Sequence, residues 1–87
     1  VKLQAVGIVT GSCPICSELK RRLIRDFALK KIDLEFVEIS YDIDPKTAVE
    51  EALKFGIEEI PSFLIAEEIF TPSYDWNQIL KVIKNIL

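Results

Sequence analysis

Apolar and polar positions along the chain change period several times. Residues 3–10 form a short apolar run, β-branched toward its end, that stops at Gly11-Ser12; this predicts a strand and a turn. From Pro14 the apolar residues Ile15, Cys16, Leu19, Leu23, Ile24, Phe27 and Ala28 recur at three- and four-residue spacing, predicting a helix to about Lys31. Residues 33–39 alternate charged and apolar side chains and then turn apolar, as a strand with one better-buried face does. Asp44-Pro45 offers an N-cap acceptor and a first-turn proline to a helix with the stripe Ala48, Val49, Ala52, Leu53 and Phe55. Gly56 follows at the left-handed C-terminal position. Residues 61–66 and 69–71 are apolar runs separated by Glu67-Glu68, an expected antiparallel pair. Asp75 can cap a last helix whose apolar side is Ile79, Leu80, Val82, Ile83, Ile86 and Leu87, with Lys81 and Lys84 facing water.

The expected order is therefore βαβαββα. Strands separated by helices are expected to pair in parallel through right-handed crossovers, and the last two, too close for a crossover, to form a hairpin. With 87 residues and no linker or repeat, the chain is expected to be one domain spanning 1–87, of a size that buries only about 60% of its unfolded surface. Its composition, 49% hydrophobic with 3 Gly and 4 Pro, is that of a globular chain and excludes disordered, collagen-like and low-complexity classes, and the element order makes it an α/β chain. Apolar runs are too short to span a bilayer and no leader pattern precedes them, so no membrane association and a cytoplasmic location are expected. A net charge of -3 argues against nucleic acid as a partner. With no His, imidazole ligands and His general bases are absent from the chain.

The chemistry is concentrated in Cys13-Pro14-Ile15-Cys16, at the junction of the first strand and first helix. A cysteine at a helix start meets unpaired backbone N–H groups and the positive end of the dipole, which favour thiolate over thiol. The i, i+3 spacing puts the second sulfur within reach of the first, so attack by one thiolate and resolution by the other is natural. Pro14 suits the first helical position, where its missing N–H costs nothing. Three other readings compete. A zinc half-site would need ligands from a second molecule; a structural disulfide across so small a loop would stabilise little; and the two thiols could be inert.

The segment Lys54-Phe-Gly-Ile-Glu-Glu-Ile-Pro-Ser-Phe-Leu-Ile65 resembles the thioredoxin stretch that reads Tyr-Gly-Ile-Arg-Gly-Ile-Pro-Thr before a core strand. Length, element order and Cys-Pro-Ile-Cys are also similar to glutaredoxin, whose motif is Cys-Pro-Tyr-Cys. The resemblance implies a thioredoxin fold: a four-stranded mixed sheet with helices on both faces. It implies that Pro61 is the family's cis-proline and that Ile60 and Pro61, with Pro14 and Ile15, meet an extended substrate beside Cys13 and Cys16. Three departures qualify it. No Gly stands in residues 71–74, where glutaredoxins hold glutathione through Gly-Gly and an acid, although Asp75 could be the acid's counterpart; glutathione is therefore a doubtful partner. Thioredoxin's Trp before the first Cys is Ser12, and its buried acid six residues upstream is Gly7.

The expected function is dithiol–disulfide exchange by a monomer, with protein disulfides and a reductase as partners. Cys13 is the expected nucleophile and Cys16 the resolving thiol, with no metal and no cofactor beyond their disulfide. The alternatives are a glutathione-linked glutaredoxin and a non-catalytic module whose CxxC holds metal between subunits. Lys20, Arg21, Arg22, Arg25, Lys30 and Lys31 read as a solvated basic face, Tyr74 and Trp76 as packing aromatics, and residues 41–44 as a loop and helix cap. Glu58-Glu59, just before Pro61, is expected to form an acidic lip near Cys13.

Overall fold

The computed structural model describes residues 1–86. Its elements are β1(Lys2–Val9), α1(Pro14–Ala28), β2(Asp33–Ser40), α2(Pro45–Phe55), β3(Ser62–Ile65), β4(Glu68–Phe70) and α3(Trp76–Ile86). Leu87, expected on the apolar side of α3, lies outside the described residues. The strands form one mixed sheet in the order β2-β1-β3-β4. β1 and β2 are parallel through α1, and β3 and β4 form the expected hairpin.

β3 departs from the expected pattern because it runs antiparallel to β1, although α2 separates it from β2. The cause lies in where the connection begins and ends. β2 finishes at Ser40 beside Val9 on one side of β1, and β3 starts at Ser62 beside Ile8 on the other, so both ends of the connection lie at the same end of the sheet. The chain is not carried back to the opposite end of the strands, so the next strand must descend.

Side-chain alternation divides the sheet into two unequal faces. On one, Ala5, Val9, Leu34, Phe63, Ile65 and Phe70 join Leu19, Leu23 and Phe27 of α1 and Ile79 and Val82 of α3 in a single buried cluster. Gly7 belongs to this face because a Cβ there would overlap the Phe63 ring. On the other, Ile8 and its register partner Ser62 are buried outside that cluster. α2, which packs on β2, contributes only Ala48 to the buried set. The expected α2 stripe is thus incomplete, with Val49 and Leu53 exposed. An 11-residue helix over the end of a four-stranded sheet covers a strip one small side chain wide, and the longer side chains fall beyond it.

α1 also ends earlier than Lys31. Lys31 takes a left-handed conformation at φ 62°, its N–H bonds to Ala28 O at 2.9 Å, and Ile32 N–H bonds to Phe27 O at 3.0 Å. This is a Schellman closure with Ile32 packed into the core, but with lysine where glycine would announce it. The β3–β4 turn likewise places Ala66 and Glu67 at positive φ, the two-residue hairpin geometry usually marked by Asn-Gly. No helix among the described residues is long and apolar enough to cross a membrane.

Candidate functional site

Cys13 is the N-cap of α1, in extended backbone, and Pro14 occupies the first turn. The Cys13 sulfur accepts the backbone N–H of Cys16 at 3.1 Å, satisfying one of the donors a helix start leaves unpaired. Cys13 and Cys16 are joined as a disulfide with Cα atoms 5.2 Å apart. The two sulfurs are not equivalent: Cys16 is buried within the main core, whereas Cys13 is half-buried at its edge. Pro14 and Ile15 project outward, Ile15 being 54% exposed.

The second part of the site comes from the chain before β3. Ser62 pairs with Ile8, so continuing the register puts Pro61 level with Val9, the last residue of β1, and Ile60 just past it, at the end where residues 10–13 lead into α1. The Ile60–Pro61 peptide is cis. Ile60 is 41% exposed, and the Ser62 hydroxyl donates to Glu59 O, tying the approach segment to the strand. The sheet thereby brings residues 13–16 and 60–61, distant in sequence, to one edge of the molecule. Glu58 and Glu59 line a cavity of about 200 Å³ with Gly56, Ile57, Ser62, Ile69 and Thr71, a set that contains no residue of 13–16.

Further contacts fasten loops to the elements around them, and most left no trace in the sequence pattern. Asp42 accepts the Gly11 N–H at 2.5 Å, fastening the loop before Cys13 to the β2–α2 loop. Asp75 and Gln78 form a reciprocal capping box at the start of α3, and the Gln78 amide also donates to Ile69 O at 2.7 Å. Only this box was signalled, by the Asp75-x-x-Gln78 spacing. The Tyr74 hydroxyl donates to Asp26, joining the β4–α3 loop to α1. Burial first, then this bond and the Asp26 charge, push the Tyr74 phenol up to about 12.

Four of the six residues of the expected basic face, Lys20, Arg22, Arg25 and Lys30, meet intrachain partners. Lys20 pairs with Glu38 at 3.1 Å, Arg25 with Asp26 at 3.2 Å, Arg22 lies over the Tyr74 ring and Lys30 over the Trp76 ring. At Gly7, where the resembling family carries an acid, the Phe63 ring fills the space a side chain would need. Among the described residues, no three His, Cys, Asp or Glu side chains gather in a group that could hold a metal ion.

No protein-family model and no curated protein matches the chain. A solved structure described as the structure of a malarial protein is similar to it at a TM-score of 0.55 and 15% identity, covering 100% of this chain and 99% of that chain. At that identity the likeness concerns the fold alone.

Proposed function

We propose that this chain is a thioredoxin-fold dithiol–disulfide oxidoreductase of the thioredoxin/glutaredoxin-like kind, acting on protein disulfides as a cytoplasmic monomer. The observation that carries the reading is the Cys13 sulfur at the N-cap of α1, bonded to the Cys16 N–H and joined to the Cys16 sulfur. The fold part is supported by a parallel β1/β2 pair joined through α1, followed by an antiparallel hairpin and a closing helix.

In the reduced protein, the donors and dipole at the helix start favour a Cys13 thiolate. It attacks one sulfur of a substrate disulfide, forming a Cys13–substrate disulfide and releasing the other substrate sulfur as a thiolate. Cys16 loses its proton to solvent and attacks Cys13 Sγ, closing the Cys13–Cys16 disulfide and releasing the second substrate thiolate. The substrate gains two electrons, the protein loses two, and a separate reductase restores the dithiol. Ile60, Pro61, Pro14 and Ile15 form the rim against which an extended substrate segment lies. The glycine-free stretch 71–74 favours protein disulfides over glutathione.

The test is reduction of insulin disulfides by the prereduced protein, followed by precipitation of the freed chains. Cys13→Ser should give no reaction, whereas Cys16→Ser should accumulate a one-to-one mixed disulfide visible by mass spectrometry. Turnover that survives Cys13→Ser, or equal trapping by both variants, overturns the assignment.

A further inference from the structure

On the α1 side of the cysteine pair a groove of about 230 Å³ is lined by Ile15, Glu18, Leu19, Arg22 and Pro72. It starts at Ile15, between the two cysteines, and ends at Arg22, seven positions later and about 10 Å along the helix. Arg22 is held before any ligand arrives. Its guanidinium lies 5.3 Å from the Tyr74 ring centroid and Nη1 donates to Pro72 O at 3.5 Å. Tyr74 is in turn fixed by Asp26 and by edge packing on Phe70.

The charges around Arg22 are satisfied differently from its own. Of its basic neighbours on α1, Lys20 and Arg25 each contact a carboxylate, Glu38 and Asp26, while Arg21 is solvent-exposed. Arg22 contacts a ring and a carbonyl, and among the described residues it makes no ion pair with Glu18, although the i, i+4 spacing would allow one. A half-buried guanidinium therefore shares the groove with the Glu18 carboxylate without pairing to it, and presents donors beside the redox pair.

We infer that this groove receives an extended segment of a disulfide-bearing partner protein that carries one acidic side chain about three residues from its cysteine. The inference rests on the exchange chemistry proposed above. The attacked sulfur sits at Cys13, about 13.5 Å before Arg22 along the helix, and a long helical side chain leans back toward the helix start, so at about 3.3 Å per residue three extended residues span what is left. Ile15, Leu19 and Pro72 accommodate the aliphatic part of the segment, and the planar guanidinium suits a carboxylate through two parallel N–H donors. Because Arg22 is already held, little side-chain freedom is lost on docking. Glu18 on the same wall repels a second negative charge, which selects one acid over a polyanion.

The experiment uses the reduced full chain and synthetic peptide disulfides that differ only in having Glu, Gln or Lys three residues before or after the cysteine. In one of the two registers the Glu peptide should be reduced about fivefold faster than the Gln peptide at low salt, with Lys slower still. The Glu-to-Gln rate ratio should fall to one in Arg22→Gln; taking the ratio cancels any general effect of the substitution. Equal rates for the three peptides in both registers, or a ratio unchanged in Arg22→Gln, overturn the inference. It is also overturned if glutathione disulfide loses as much rate as the Glu peptide in Arg22→Gln, since the groove would then read small anions. Failure of the exchange reading is separately visible as no reduction of any disulfide. The groove is then judged by NMR titration with the Cys→Ser peptides. A shift of the Arg22 Nε–H with the Glu peptide alone supports it, and identical shifts with Glu and Lys overturn it.

Discussion

α1 and α2 both leave a turn after a strand, both carry proline in the first turn, and both begin with a side chain that accepts the N–H three residues on. At α2 the acceptor is an Asp44 carboxylate oxygen, 3.2 Å from Thr47 N; at α1 it is the Cys13 sulfur, 3.1 Å from Cys16 N. The first is an ordinary N-cap in which Thr47, through its side chain first and its backbone N–H second, holds the Asp44 carboxyl below its usual range. The second puts sulfur in the place of that carboxylate. A helix start that stabilises a carboxylate at α2 offers the same donors and the same dipole to a thiolate at α1. The difference lies in what surrounds the two. Asp44 is exposed, whereas Cys13 borders the core, joined to a second sulfur.

The sharpest way to break the comparison is to exchange the caps. Cys13→Asp should abolish disulfide exchange while keeping α1 intact. Its stability should exceed that of Cys13→Ala by roughly 0.5–2 kcal/mol, the usual worth of an N-cap. Equilibrium urea unfolding of the two variants, both lacking the disulfide, checks this directly. If the two unfold together, the Cys13 position is not a cap in the sense that Asp44 is.

A smaller effect separates the two sulfurs of the reduced protein. Cys13 sits at the helix start and is half-buried, while Cys16 lies one turn in and is 6% exposed. Thiolate character and access both favour Cys13, so iodoacetamide near neutral pH should modify it at least about tenfold faster. Peptide mapping after brief alkylation reads the ratio, and a ratio near one would mean the cap does not activate sulfur.

The two helix starts were legible in the sequence because their signals are local: a capping side chain, a proline and an apolar stripe within a few residues. The same holds for the capping box at Asp75 and for the Gly56 stop of α2, where φ is 70°. What sequence spacing did not carry was set by tertiary partners. The direction of β3 follows from the end of the sheet at which the α2 connection delivers the chain. The exposure of Leu53 follows from the narrow strip that α2 covers, and Asp42–Gly11 and Tyr74–Asp26 join residues 31 and 48 positions apart. The assembly of residues 13–16 and 60–61 at one edge was anticipated through a family resemblance, with periodicity alone silent on it.

The far ends of the same two helices differ in a way that mutation can measure. α2 stops on Gly56, which takes its left-handed conformation without penalty, whereas α1 closes on Lys31 at φ 62°. Lys31→Gly should therefore be neutral to stabilising, by up to about 1 kcal/mol, and Gly56→Ala destabilising by about the same amount. Urea midpoints of the two variants should move in opposite directions. Movement in the same direction would show that the side chain of Lys31 contributes more than its backbone costs.

The smallest expected effect is a pH dependence confined to the α2 start. Asp44 has an ordinary value of 3.8, and hydrogen bonds from Thr47 lower it in the folded chain. The unfolded chain therefore takes up a proton at a higher pH than the folded chain does, and protonation favours unfolding. The stability Asp44 contributes is fully present above its unfolded value and is lost as pH falls through the lower folded one. Asp44→Asn retains an oxygen that can accept the Thr47 N–H but cannot ionise there. Thermal midpoints of wild type and Asp44→Asn should converge as pH drops from 5 toward 2, with wild type the more stable at the upper end. Because Asp44 is exposed, added salt should shrink the gap. A gap that persists unchanged at pH 2 would assign it to packing or backbone effects, and the analogy between the carboxylate cap and the sulfur cap would lose its electrostatic half.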